Sequence, residues 1–469
     1  MRAVVLFGLS GLLLTACGVV TDSASKEGED PAPADPQEVF EGPVARANCG
    51  PGSMPETDIQ GRVPIEDRDS GRSLFPYTCN LELVGANASR GAGWQMAWYD
   101  DCAYHNTNPD TGGDGVHVID ASDPTNPRTT GHLNTDAMSD PWESLKTNEK
   151  RGLLAAVGPG AAGLLSFDLY DVTLKGCAEP YLLASKPVDG IGHEGNWAPD
   201  GRTYYGAALF VPEIMAIDTT NQLDPQPITL IARNTHGLDV SEDSNRLYLA
   251  AWVTTYPDGT TTGTNGLEIY DVSLLNAAGP AGIRIPAQPV PVGSIHWSDG
   301  SVAQHPIPVS IKGKPYIIFV DEGGLGMARI IDISDEANPR VISKLKLEID
   351  MPDTAAQRTA DGGASGFTYQ GHYCGVDSRT EATVVGCSYF WSGVRIFDIR
   401  DPYHPKEIAY YNPGGNLEPG PGAQVGPDTV GSASAQVRFV KERGEIWFTD
   451  QRSGFFIARF TNGVWPFKD

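Results

Sequence analysis

Four histidines open short apolar runs that recur along the chain: His193 in HEGNW, His236 in HGLDV, His305 in HPIPV and His372 in HYCGV. Gln436 opens a fifth run, QVRFV, in the same register, which falls near Trp142 or Glu143 in an earlier unit and near Trp94 in the first. With nine histidines in 469 residues, four in one register of four consecutive units is more than chance placement supplies. Neutral imidazole is a common ligand for zinc, copper and iron. Imidazoles on separate rigid elements would be preorganised around one ion, leaving positions for water or substrate. The expectation is a transition-metal site (iron, copper or zinc) held by His193, His236, His305 and His372. Glu143 and Glu194 are the candidate catalytic carboxylates, and Asp239 and Glu322 are further acceptors for imidazole N–H groups. Trp94, Trp142 and Gln436 are the candidate substrate-binding residues, with Trp197 and Tyr373 as added aromatic wall or as core. A polar lining or organic-ligand site without metal is the competing reading, and both stay open here.

The elements that must position these side chains repeat. Seven segments share the pattern Gly-aliphatic-x-aliphatic-aromatic/aliphatic-Asp: residues 115–120, 163–168, 213–218, 266–271, 327–332, 393–398 and a degenerate 454–459. Their spacing runs from 48 residues (Gly115 to Gly163) to 66 (Met327 to Gly393). Each alternates as a half-buried strand does. A period of this length marks a propeller or solenoid, whose units bury apolar faces only against neighbours. The unit from His236 shows four strands: 237–241, a polar turn at 242–245, 246–252, 267–271 and 290–295. The expected fold is therefore all-β, a seven-bladed β-propeller of four-stranded antiparallel blades spanning 49–469, with eight blades not excluded. The last unit runs short, so residues 80–84 are expected to supply its fourth strand and close the ring. In such a ring the first strand of each blade lines the channel, which would set the histidines around one mouth.

After the third strands comes a recurring phrase, as in VHVIDASDPTNP, ARIIDISDEANP and VRIFDIRDPYHP. Its Asp and Ser side chains suit turn capping, so these aspartates are read as structural. The phrases resemble the LVIVD-repeat family of bacterial surface β-propellers over roughly residues 80–460. That resemblance implies fold and surface location and leaves activity open. A four-histidine set on separate blades is similar in architecture to the axial iron site of carotenoid-cleaving oxygenases, which makes an oxidase- or oxygenase-like reaction the leading enzymatic expectation. The alternative is a non-catalytic binding or scaffold lipoprotein that presents a propeller face to a protein or small ligand. His117, His132 and His296 lie outside the shared register and read as peripheral; His105 falls in the expected second strand of the first unit, and His404 replaces a turn residue in the Asp-Pro-x-x-Pro phrase. The loops at 353–370 and 412–426 are candidates to gate the channel mouth.

Residues 1–16 read as a signal peptide: Arg2, a short apolar stretch, then Leu14-Thr15-Ala16-Cys17, which resembles a bacterial lipobox with Cys17 as the lipidated residue. The stretch is too short for a permanent membrane span. Residues 17–48 read as the lipidated Cys and a disordered acidic linker, poor in large apolar residues until Val39 and Phe40. The expected location is the bacterial cell envelope, extracytoplasmic, with the membrane as partner through the N-terminal lipid. A net charge of −25 argues against nucleic acid as a partner. Six cysteines follow Cys17, an even number that suits disulfides in an exported chain. Cys374 and Cys387 flank a tight turn and are the one pair expected from sequence.

Overall fold

The computed structural model describes residues 39–88, 91–107, 114–158, 165–188, 192–209, 211–252, 254–255, 261–262, 265–277, 284–363, 366–415 and 429–467. Residues 1–16 and Cys17 lie outside these. Seven antiparallel sheets of at least four strands follow one another around a ring. Among the described residues no helix is long and apolar enough to cross a membrane.

Blade 4 shows why the sequence folds this way. Its strands are Leu238–Val240, Arg246–Ala251, Gly266–Asp271 and Val290–His296, paired in that order. Leu247 and Leu249 pack towards blade 3, while Tyr248 and Ala250 pack towards blade 5. Alternation along each strand thus feeds two neighbouring cores at once, because successive side chains point to opposite faces. The inter-blade core continues in the same manner: Leu153, Ala155 and Val157 of blade 2 meet Trp197, Tyr204 and Ile217 of blade 3.

Six of the seven repeated motifs fall on third strands; the second is displaced, because that strand is Ser166–Asp171, with Asp171 at its end and Asp168 inside it, accepting the Ala137 N–H at 2.7 Å. The aspartates that end them cap turns: Asp120 accepts the Ser122 N–H at 3.0 Å, Asp218 that of Thr220 at 2.8 Å and Asp332 that of Ser334 at 2.8 Å. Asp123, Asp335 and Asp401 repeat the bond one turn later. These carboxylates shape connections, and none lies among the channel groups.

The ring closes as the short last unit requires. Leu81–Asn87 pairs with Gly454–Phe460 and becomes the outermost strand of blade 7. Upstream, Tyr77–Cys79 adds a fifth strand to the outer edge of blade 6. Residues 39–48, grouped by composition with the linker, run along the outer edges of blades 5 and 6. Phe40 exchanges backbone bonds with Ile342 and Lys344, and Val44 donates to the Lys346 carbonyl. Among the described residues there are three disulfides: Cys49–Cys79, Cys102–Cys177 between blade 1 and the outer end of blade 2, and Cys374–Cys387 across the first hairpin of blade 6.

Near the axis the blades approach closely. A Cβ at Gly237 would collide with the Gln304 carbonyl oxygen, and one at Gly375 with that of Val437. Only glycine permits first strands this near.

Candidate metal centre

The side chains converge on Glu143. Its backbone N–H donates to the His193 carbonyl at 3.0 Å, which ties blade 2 to blade 3. The preceding Trp142 adopts φ +46°, a left-handed conformation that costs an aromatic residue about 1–2 kcal/mol. Asn106 holds it there by donating to the Trp142 carbonyl at 2.8 Å. That turn sets the indole beside His193 and sends the next side chain, Glu143, into the channel mouth.

Glu143 Oε2 lies 3.2 Å from His193 Nε2 and 3.3 Å from His236 Nε2, and the two imidazole nitrogens are 3.0 Å apart. The other oxygen, Oε1, lies 3.0 Å from His372 Nε2. Glu322 backs this side, 3.6 Å from His372 Nε2 and 3.7 Å from His236 Nδ1. Glu143, His193 and His236 form one group whose ligand atoms sit close enough to share an ion, and Glu143, Glu322 and His372 form another. His372 Nδ1 bonds the Ser434 carbonyl at 2.8 Å, which fixes its ring and leaves Nε2 for the centre.

Burial and charge act against each other here. Burial alone would raise the Glu143 pKa, but His193 and His236 beside it hold the carboxyl well below the usual range. Burial would depress His372, yet its bond to Glu143 raises it above an ordinary imidazole. Glu322 is raised by burial, against the pull of His236 and His372. Two buried carboxylates therefore share this mouth and need compensation from protons on imidazole or from a cation.

His305 does not join the group. The first strand of blade 5 is long, Gly300–Ile311, and its pairing shifts between Ala303 and His305. This irregularity moves the register by one residue. Gln304 takes the inward place instead, donating to Glu143 Oε2 at 2.8 Å and standing 3.4 Å from His372 Nε2. His305 is buried against the Tyr373 ring at 5.2 Å, and neither ring nitrogen has a hydrogen-bond partner among the described residues. Burial, with Lys146 and Arg379 nearby, lowers its pKa well below that of a free imidazole.

Glu194 lies beneath the centre. Tyr373 bonds it through the hydroxyl, and that same hydroxyl stands 3.4 Å from Glu143 Oε2. Burial pushes Glu194 up to about 8, although Lys146 Nζ is 3.4 Å away. Lys146 also donates to the Glu143 carbonyl at 2.9 Å. Asp239 is engaged elsewhere, accepting from Arg379 at 3.1 Å.

Aromatic rings wall the mouth. Trp142 lies 4.9 Å from His193, Trp94 5.3 Å from His372 and Trp252 5.6 Å from His236, centroid to centroid. Phe367, from the segment 353–370, which contains a short helix at Ala355–Ala360, packs tilted against Trp94 at 5.4 Å, and Phe390 lies 5.2 Å from His372. Trp197 belongs to the core, its indole N–H bonded to the Lys146 carbonyl at 3.1 Å. Gln436 is not at this mouth: it lines a cavity of about 460 Å³ with Lys146, Asp239, Arg379 and Arg438, at the opposite ends of the first strands. Gln304, Trp252, Phe367 and Phe390 carry no repeat signal in the sequence; only the fold brings them in. Comparison with protein-family models and with curated proteins finds no match.

Proposed function

We propose that His193, His236 and Glu143 bind one transition-metal ion at the channel mouth, and that the protein is an envelope-anchored metalloenzyme of oxidase or oxygenase type. The observation that carries this reading is the trio of distances 3.0, 3.2 and 3.3 Å between the three ligand atoms. Ligands about 2.0–2.1 Å from an ion stand about 2.9 Å apart on an octahedron and about 3.3 Å apart on a tetrahedron. The trio falls within that range.

Two imidazoles and one carboxylate on a single face suit non-haem iron(II) and leave positions open. The bound metal would supply activation of dioxygen in those positions. His372 holds Oε1 of Glu143 and Gln304 donates to Oε2, so the carboxylate keeps its orientation. Tyr373 links Glu143 to Glu194, a route by which a proton reaches the centre from below. Trp94, Trp142 and Trp252 offer flat apolar faces to a small or medium-sized substrate. Anchoring through Cys17 and membership of the LVIVD-repeat family are supported by the sequence features given above. The test is elemental analysis of chain purified without chelator, followed by oxygen consumption of the iron-loaded form. Stoichiometric metal lost in His236→Ala supports the reading; a metal-free protein unchanged by that substitution leaves a binding module.

A further inference from the structure

Blade 1 carries a second group of imidazoles, independent of the channel. His105, His117 and His132 sit on its second, third and fourth strands, Cys102–Asn106, Val116–Asp120 and Arg128–Leu133. They are direct cross-strand partners, His105 opposite His117 and His117 opposite His132. Partners of this kind project from the same face with Cβ atoms about 4.5–5.5 Å apart, and the rings follow, with centroids 5.3 and 4.4 Å apart. Three of nine histidines thus form one row across one sheet.

A carboxylate completes the row. Asp114 precedes the third strand, and its backbone N–H donates to Thr107 Oγ1 at 3.1 Å. Asp114 Oδ1 lies 2.6 Å from His117 Nε2 and Oδ2 lies 3.5 Å from His132 Nε2. The two carboxylate oxygens thus face two different imidazoles. His117 is buried, whereas the side chains of His132 and Asp114 are 43% and 37% exposed. One ligand is therefore fixed by the sheet while two stand open to an arriving ion. His105 is fully buried behind His117 and keeps the row in place.

We propose that Asp114, His117 and His132 form a second metal site, binding zinc with water in the remaining positions. Two nitrogens and one oxygen suit zinc, which takes imidazole and carboxylate ligands in a tetrahedral set. The site opens on the same face of the ring as the channel centre. His105 is the next-to-last residue of its second strand, and Ala250, to which His236 donates its backbone N–H, holds that position in blade 4.

The experiment is a calorimetric zinc titration of the chelator-stripped full chain, with cobalt(II) as a coloured substitute. His132→Ala is expected to remove one equivalent of micromolar-or-tighter zinc, or to weaken it at least about 100-fold, and Asp114→Asn to do the same. His236→Ala is expected to leave that equivalent untouched, which separates this site from the channel whatever the channel holds. Because His132 is substantially exposed, an unchanged near-ultraviolet circular dichroism spectrum confirms that the variant is folded. Equal stoichiometry and affinity in the wild type, His132→Ala and Asp114→Asn overturn the proposal, as does zinc that binds only at millimolar concentration.

Discussion

Glu143→Gln keeps side-chain size and removes one charge from the channel mouth, so it isolates what that carboxylate does. In the wild type its two oxygens face three imidazoles, at 3.0 to 3.3 Å. The amide that replaces it must turn an NH2 group either towards His193, His236 and the Gln304 amide or towards His372. Removing one partner of a buried charge pair costs about 3–5 kcal/mol. At about 1.4 kcal/mol per decade, metal affinity is expected to fall by roughly two to nearly four orders of magnitude. The neighbouring Glu194→Gln is the internal control. Burial pushes Glu194 up to about 8, so at neutral pH the wild-type carboxyl is mostly uncharged already, and affinity is expected to change less than about threefold. Competition against a chromophoric chelator measures both, with thermal unfolding monitored alongside to show that each variant folds. Glu143→Asp, which keeps the charge but withdraws it by one methylene, is expected to lie between. Equal affinities for Glu143→Gln and Glu194→Gln would refute the assignment of Glu143 as a ligand.

Asp350 is fully buried away from the channel, and burial raises it to about 7 although the Leu347 N–H and Arg358 pull it down. A folded-state pKa above the unfolded value near 3.9 means that folded protein is penalised as pH rises from about 4 to about 7, reaching about 4 kcal/mol above that window. Asp350→Asn is expected to be the more stable chain at about pH 8 and to lose the advantage near pH 4, read by denaturant melts; no gain at the higher pH would contradict this. Replacing both Cys102 and Cys177 with Ala frees a loop of 75 residues. The chain-entropy relation puts this at about 4 kcal/mol, or roughly 4 °C in melting temperature for a domain of this length; an unchanged midpoint would mean that the bridge does not form. Cys17→Ser is expected to abolish incorporation of labelled fatty acid and to release the protein from membranes, and labelling that persists would remove the lipid anchor.

The third strands were legible because their aspartates, glycines and alternating apolar residues recur, and the short last unit pointed to closure by residues near Leu81. The channel site was legible only as far as its strands were regular. His193, His236 and His372 each sit just before a short first strand, and these do meet at one carboxylate. Blade 5 departs because its first strand has twelve residues and an irregular register; a slip of one position exchanges inward for outward, and the sequence carries no mark of it. Between Trp142 and Glu143 the sequence offered no choice, and the left-handed backbone at Trp142 makes it. The row on blade 1 was hidden for a different reason. His105, His117 and His132 are separated along the chain, and only the pairing of three strands makes them neighbours.

Anomalous diffraction from crystals of metal-loaded protein, collected on either side of the metal edge, would locate the ion and its ligands. A peak is expected at the channel mouth about 2.0–2.2 Å from Nε2 of His193, Nε2 of His236 and a carboxylate oxygen of Glu143. A channel without a peak, or a peak bonded to His305 in place of Glu143, would contradict this ligand set.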